Sequence, residues 1–116
     1  MGKFVEVAKV AELQDGTMKE VLAGGHEILL AKIVGNYYAV SNRCTHMKGQ
    51  LSHGTLQGTV VTCPRHGSQF DLNNGQVVRW MKGPGLATSV FKVFKPPRPL
   101  TVYPVKIEKD AIMIEI

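Results

Sequence analysis

The sequence predicts an all-β domain of short strands that carries a glycine-rich loop segment. Short runs of β-branched and aromatic residues fill the first forty positions, and turn dipeptides such as Asp15-Gly16, Gly24-Gly25 and Gly35-Asn36 separate them. Five glycines then interrupt the chain between Asn42 and Gly75. No apolar run approaches the roughly 18 residues that a membrane-spanning helix needs. These observations favour short strands joined by tight turns.

Four strands are predicted before the glycine-rich segment, because each run is rich in residues that suit a pleated, half-buried surface. Gly35-Asn36 joins two of these runs and is expected to form a two-residue hairpin loop. The predicted strands are Phe4 to Ala8, Met18 to Leu22, Glu27 to Val34 and Tyr37 to Ser41.

The second half of the chain is predicted as loops, one short helix and a closing hairpin. The glycine-rich segment reads as loops on a short-stranded scaffold. Apolar residues within Leu86 to Phe94 are spaced for a helix of about two turns. A proline-rich stretch over residues 96–99 follows and is expected to be an extended connector. Thr101 to Glu108 and Ala111 to Ile116 then form a predicted hairpin across Lys109-Asp110.

Length and composition indicate one ordinary globular domain over residues 1–116. Hydrophobic residues make up 44% and charged residues 20% of the 116 positions. The N-terminal residues alternate apolar and polar side chains and do not resemble a signal peptide, so we expect a soluble cytoplasmic protein. The formal charge of +5 is spread over single lysines and arginines, Arg79 among them, which argues against nucleic-acid binding. An acidic protein partner or a solvated basic surface fits this distribution.

The strongest pattern is a pair of mixed cysteine and histidine motifs, Cys44-Thr45-His46 and Cys63-Pro64-Arg65-His66. Thiolate and imidazole are ligands of zinc and of iron-sulfur centres, so the residue types leave both open. Zinc fingers generally take two cysteines from one loop and two histidines from a helix, whereas each motif here offers one of each. The spacing therefore favours a 2Fe-2S cluster over zinc. His26 and His53 lack such a partner and are expected on the surface.

These motifs, with Leu51-Ser52-His53-Gly54 between them and Gly67 to Asp71 after them, resemble the signature of the Rieske family. The likeness covers Ser41 to Gly83 closely, continues more loosely to the chain ends, and departs at 85–95, which is expected to be an insertion. It implies antiparallel β-sheets carrying a small cluster-binding subdomain at about 42–82. It also implies one 2Fe-2S cluster bound by four ligands, Cys44, His46, Cys63 and His66.

The resemblance also assigns residues around the cluster. Ser68 matches a serine whose hydroxyl donates to a bridging sulfide, while Phe70 stands where high-potential relatives carry a tyrosine that donates to a cysteine sulfur. Losing that donor lowers the reduction potential. The loops also lack the additional cysteines that form a disulfide in respiratory relatives. Gly83-Pro84 resembles the start of a loop that covers the cluster.

The resemblance implies a monomeric one-electron carrier without catalytic residues of its own. A terminal oxygenase would need a further iron-binding domain, and a respiratory Rieske protein would need a membrane anchor. The expected partners are a flavin-dependent ferredoxin reductase as donor and an oxygenase-type acceptor, docked at the cluster tip beside Lys48 and Arg65. Two alternatives stay open, namely the small subunit of a nitrite reductase and a zinc-stabilised interaction module.

Overall fold

The computed structural model describes residues 2–44, 49–65, 67–79 and 98–116. Single 3-10 turns at Val10–Glu12 and Leu51–His53 are its helical elements within these ranges. The described strands are β1 (Phe4–Lys9), β2 (Thr17–Ala23), β3 (His26–Ile33), β4 (Asn36–Ser41), β5 (Thr55–Gln57), β6 (Val60–Thr62), β7 (Gln69–Asp71), β8 (Val77–Arg79), β9 (Val102–Tyr103), β10 (Val105–Glu108) and β11 (Ala111–Glu115).

The strands form three antiparallel sheets. The first sheet has the order β1-β11-β10, the second β2-β3-β4-β9, and the third β5-β6-β7-β8. The predicted all-β class is confirmed, and the scaffold expected under the glycine-rich segment is the third sheet, whose strands are three residues long. The helix predicted near 86–94 and the insertion at 85–95 lie outside the described residues. None of the described helical turns could cross a membrane.

The second sheet lies in the middle of the core because side chains on both of its faces are buried. Along β3, Leu29, Ala31 and Ile33 join one buried cluster, which also contains both cysteines and residues of the third sheet. The alternate residues Ile28 and Leu30 join a second cluster with residues of the first sheet. A strand covered on both faces reads as a nearly continuous apolar run, as this one does.

The hairpin between β3 and β4 is confirmed, but its two-residue loop is Val34-Gly35, one residue earlier than predicted. Both residues have positive φ, 49° and 78°, as the favoured two-residue hairpin turn requires. The Asp15 carboxylate accepts their backbone N–H groups at 3.1 and 2.7 Å and so stabilises this turn. The resulting register places Leu29 opposite Val40, and both are fully buried.

The strand predicted over Thr101 to Glu108 is wrong as a single element, because the chain changes sheets at Pro104. β9 pairs with β4 in the second sheet, while β10 pairs with β11 in the first. Proline lacks the N–H that a continuous ladder would need. The predicted closing hairpin across Lys109-Asp110 is confirmed, with Glu108 opposite Ala111.

Candidate metal centre

The first loop, residues 44–49, is closed by hydrogen bonds between the chain segments on either side. The Cys44 N–H donates to the Gly49 carbonyl at 2.8 Å, and the Leu51 N–H donates to the Asn42 carbonyl at 2.8 Å. Arg43 and Gln50 form a bridge between the same two segments. Cys44 therefore stands at the base of the first loop, where the segments on either side of it are paired.

The second loop, residues 63–68, joins β6 to β7. The Cys63 N–H donates to the Ser68 carbonyl at 2.7 Å, and the Gly67 N–H donates back to the Cys63 carbonyl at 3.1 Å. Gly67 has φ of 76°, a conformation that favours glycine and lets the chain turn sharply. Cys63 and Ser68 thus face each other across the base of this loop.

The two loops touch one another at Gly49. A Cβ atom on that residue would lie 2.8 Å from the Cys63 Sγ and 2.9 Å from the Arg65 Cγ, so no larger side chain fits without movement. Cys44 and Cys63 are 1% and 2% exposed, belong to one buried cluster, and are not joined in a disulfide. The structure therefore brings the two predicted cysteine ligands to the same region of the core.

The predicted histidine ligands His46 and His66 lie outside the described residues, as does Lys48. Within the described ranges, no three His, Cys, Asp or Glu side chains converge on one point. His26 and His53 are exposed, as predicted. Gly83-Pro84 also lies outside the described residues.

Ser68 is fully buried, and its Oγ has no hydrogen-bond partner among the described residues. Buried hydroxyls are nearly always paired, so an unpaired donor in the loop that begins at the buried Cys63 indicates that an acceptor belongs there. The Oγ of Ser52 is also buried without a partner. Phe70, in β7, is fully buried in the cluster that holds both cysteines and brings no polar atom to it.

Asn42 anchors the first loop and was not singled out from the sequence. Its side chain is fully buried, donates through Nδ2 to the Glu20 carboxylate at 2.9 Å, and accepts the Ser52 N–H at 2.8 Å. Its backbone N–H donates to the Glu27 carbonyl at 2.9 Å. No spacing rule reveals this role, because the partners come from β2, β3 and the turn after the loop.

Arg43 adds a second anchor through a bidentate salt bridge with Glu27. Its Nε and Nη2 donate to the two carboxylate oxygens at 2.7 and 2.8 Å. The hydrogen bond from Arg43 lowers the pKa of Glu27, and their charge attraction acts in the same direction. The residue before Cys44 is thereby tied to β3.

Arg79 contacts the second loop, although its sequence position marks it only as one of the scattered charges. Its Nε and Nη2 both donate to the carbonyl oxygen of Gly67, at 3.1 and 2.9 Å. The register of β7 and β8 places Arg79 opposite Gln69, which explains how it reaches the loop. Only the pairing of the strands reveals this contact.

The structure describes a small antiparallel β-protein in which two adjoining loops bring two buried thiols, ligands that soft metal centres take, to one region of the core. The family profile of the Rieske 2Fe-2S domain matches residues 3–95. The chain is 31% identical over 114 residues to the "Naphthalene 1,2-dioxygenase system, ferredoxin component" of Pseudomonas putida, covering 98% of this chain and 96% of that one. The chain therefore belongs to the Rieske 2Fe-2S domain family, whose cofactor is one 2Fe-2S cluster.

Solved structures agree with this assignment. The Sphingomonas yanoikuyae B1 ferredoxin is 26% identical, with a TM-score of 0.78 over 98% of this chain and 99% of that chain. One chain of the complex of reduced oxygenase and oxidized ferredoxin in carbazole 1,9a-dioxygenase is also 26% identical, with a TM-score of 0.78 over 97% of this chain and 92% of its own length. The antiparallel β-fold is thus the one these structures share.

The described residues fit such a cluster. Two buried thiols on facing loops supply soft donors of the kind that iron-sulfur centres take. The hydroxyl of Ser68 has no acceptor in the part of the chain that the structure describes and would gain one in a sulfide. The absence of a side chain on Gly49 lets the two loops approach each other closely at Cys63.

Proposed function

We propose that this protein is a one-electron carrier that accepts electrons from a flavin-dependent ferredoxin reductase and delivers them to an oxygenase. The observation that carries the proposal is the match along almost its whole length to a ferredoxin component of a dioxygenase system. The likeness to a chain from an oxygenase-ferredoxin complex supports the same acceptor class. The expected cytoplasmic location and monomeric state belong to this proposal.

Cys44, His46, Cys63 and His66 are the proposed cluster ligands. When bound, a Rieske cluster stores and releases one electron. Burial of the two thiols keeps water from them, and Ser68 offers a hydrogen bond toward sulfur. Asn42 and Glu27 fix the chain segment that leads into Cys44, so this thiol is held in place by contacts of the protein itself.

Residues 42–82 are the proposed cluster-binding subdomain, inserted into a base formed by the first and second sheets. The third sheet lies within this range, at Thr55 to Arg79. Its connection to the base includes the Leu100 N–H, which donates to the Gly75 carbonyl at 2.7 Å. A Cβ on Gly75 would collide with the Leu100 carbonyl, so this junction is closely packed.

The relatives separate this function from the alternatives. They are named as ferredoxin components, which are electron carriers and not catalytic subunits, so we assign the chain no catalytic residue. Neither the small subunit of a nitrite reductase nor a zinc-stabilised module is favoured by a described contact.

Iron and sulfide analysis of the purified protein tests the ligand assignment. Wild type should hold two irons and two sulfides per chain and show a red-brown oxidised spectrum, whereas a zinc protein would be colourless. His46→Ala and Cys63→Ser should each lose the cluster, because removing one ligand unties the two loops. His53→Ala is the matched control, since His53 is exposed and should leave iron content unchanged. A His46→Ala protein with full iron content and the wild-type spectrum would exclude His46 as a ligand.

Delivery of the electron is tested separately. The protein reduced at an electrode should transfer one electron per chain when mixed with the terminal oxygenase of an aromatic dioxygenase system, and its oxidised spectrum should return. Failure with every oxygenase that accepts electrons from related ferredoxins would refute the acceptor class while leaving the cluster assignment intact.

A further inference from the structure

Arg79 holds the second loop through the carbonyl group of Gly67. It is the last residue of β8, which lies at an edge of the third sheet. Two guanidinium nitrogens donate to one oxygen, at 3.1 and 2.9 Å, so the contact fixes both the position and the direction of that peptide group. Gly67 stands between the proposed ligand His66 and the orphan donor Ser68. The contact therefore acts at the residue that separates the proposed ligand from the donor along the chain.

The inside of the second loop is already closed without Arg79. The Gly67 N–H donates to the Cys63 carbonyl, and the Cys63 N–H donates to the Ser68 carbonyl. Neither bond uses the Gly67 carbonyl oxygen, which instead accepts from Arg79 Nε and Nη2. The Arg79 guanidinium thus adds a contact to the second loop beyond its own closing hydrogen bonds. This contact holds the positive charge at a fixed position relative to the loop.

A fixed positive charge at this place has a consequence for electron uptake. Reduction adds one negative charge to the centre that the loop binds, and a nearby cation stabilises the more negative form. The interaction falls off over about 10 Å at 0.1 M salt. Gly67 is four residues from Cys63 along a loop whose ends are hydrogen-bonded together, so the guanidinium contact lies within this range.

The geometry points to Arg79 as a positioning residue that also raises the reduction potential. The inference rests on the proposed function and its ligand set. Phe70 and Arg79 affect the reduction potential in opposite directions. Phe70 lacks a hydrogen-bond donor that would raise the potential, whereas Arg79 supplies a positive charge that raises it. Arg79 is exposed, so its effect should be moderate and should depend on ionic strength.

Voltammetry of the cluster-loaded protein at low ionic strength tests the inference with two variants and a control. Arg79→Gln removes the charge and should shift the equilibrium for reduction toward the oxidised form by about threefold to tenfold, where tenfold corresponds to about 59 mV. Arg79→Lys keeps the charge and should stay close to wild type in potential. The Arg79→Lys variant should nevertheless release iron to a chelator faster, because lysine cannot reproduce the paired hydrogen bonds of the guanidinium to the Gly67 carbonyl.

Lys3→Gln is the matched control, because it removes one positive charge beside the first sheet, at the residue before β1. It should leave the potential unchanged. In 1 M salt, where the screening distance is about 3 Å, the difference between Arg79→Gln and wild type should shrink.

An unchanged potential in Arg79→Gln, or an equal shift in Lys3→Gln, overturns the inference. If Arg79→Gln purifies without iron, the potential of Arg79→Lys tests the inference instead. Lysine keeps the positive charge, so a clearly lowered potential in this variant would contradict a role for the charge. Iron analysis of wild type separates these results from failure of the proposed function. If the cluster assignment were wrong, wild type itself would lack the two irons.

Discussion

Phe70 and Ser68 lie close to the buried thiols and differ in what they can donate. Ser68 brings a hydroxyl without a partner, while Phe70 brings only a fully buried ring. Hydrogen bonds to sulfur favour the reduced cluster and raise the reduction potential. Because Phe70 cannot donate one, the potential should lie toward the low end of the Rieske range of about −150 to +300 mV. The resemblance to the Rieske family implied this difference, because it matched both residues to positions after the second motif.

Phe70→Tyr should raise the potential by several tens of millivolts. A new hydrogen bond that favours the reduced form by about 1 to 2 kcal/mol produces such a shift, since about 59 mV equals about 1.4 kcal/mol in a one-electron couple. Voltammetry measures it directly. Phe70→Met is the control, because it is apolar and adaptable and should stay near wild type. A tyrosine variant with an unchanged or lower potential would show that its hydroxyl does not reach a sulfur.

The Glu27-Arg43 pair should make stability depend on pH in the acidic range. Because the pKa of Glu27 is lowered in the folded protein, the pair contributes stability above the ordinary carboxylate pKa and loses it as pH falls through the lowered value. Glu27→Gln should therefore have a lower Tm than wild type at pH 7, and the difference should vanish at strongly acidic pH. Thermal melts across pH measure this difference.

Arg43→Gln is the matched test of the same pair. It should show the same pH trend, and the double variant should be no less stable than the worse single variant, because each single variant already removes the contact between Glu27 and Arg43. A Tm difference that is independent of pH would contradict the role assigned to the Glu27 carboxylate.

Residues that act through distant partners could not be found from the sequence. The cysteine and histidine motifs are visible because their members are neighbours in the chain. Asn42 and Arg79 work through contacts with Glu20 and Gly67, which are 22 and 12 residues away. Such pairs form only once the strands are in register, so no pattern of neighbouring residues in the sequence predicts them.

Among the elements, the predicted strands agree with the structure where hydrophobic runs end at turns. The exceptions have specific causes. The loop at Val34-Gly35 is set by the Asp15 carboxylate, 19 residues before Val34, and by the register of β3 against β4. The division between β9 and β10 at Pro104 follows from pairing with two different sheets, which the sequence of one strand cannot indicate.

The contact between the two loops predicts a sharp effect of a small substitution at Gly49. Gly49→Ala would place a methyl group 2.8 Å from the Cys63 Sγ, so the loops must separate by a few tenths of an ångström or more. We expect faster loss of iron to a chelator and an altered visible spectrum. The Arg65 side chain can move, but the sulfur cannot without disturbing the proposed ligand.

Gly25→Ala is the control for this prediction. It forces alanine into a backbone with φ of 81° but meets no atom within 4 Å, so it should cost stability through backbone strain alone. That cost is about 1 kcal/mol. Its spectrum should match wild type. If Gly49→Ala bound iron as tightly as wild type, the close approach of the loops would not be needed for the site.

On the scale of the whole molecule, the second sheet connects the first sheet to the site. One face of β3 packs in the cluster that contains both cysteines, and the other face packs against the first sheet. Damage to this strand should therefore disturb the site and the base together. The formal charge of +5 favours recognition of an acidic surface.

Docking of the electron acceptor should use the face beside the two loops. Arg65 is exposed in the second loop, next to the contact with Gly49, and Lys48 belongs to the first motif in the sequence but lies outside the described residues. Positive groups at this face would attract an acidic partner and raise the association rate. The rate of electron transfer to the oxygenase should then fall as salt increases, because the attraction is screened.

Lys48→Glu combined with Arg65→Glu should reduce the association rate constant by roughly tenfold or more at low ionic strength, because two attractive charges become repulsive. The visible spectrum and iron content should stay unchanged. Stopped-flow mixing of reduced protein with oxidised oxygenase over a range of salt concentrations measures the rate. The control is Lys3→Glu with Lys109→Glu, which makes the same change in net charge beside the first sheet. Equal rates for the two double variants would show that net charge alone steers the encounter, and an unchanged rate in the first would exclude this face as the docking site.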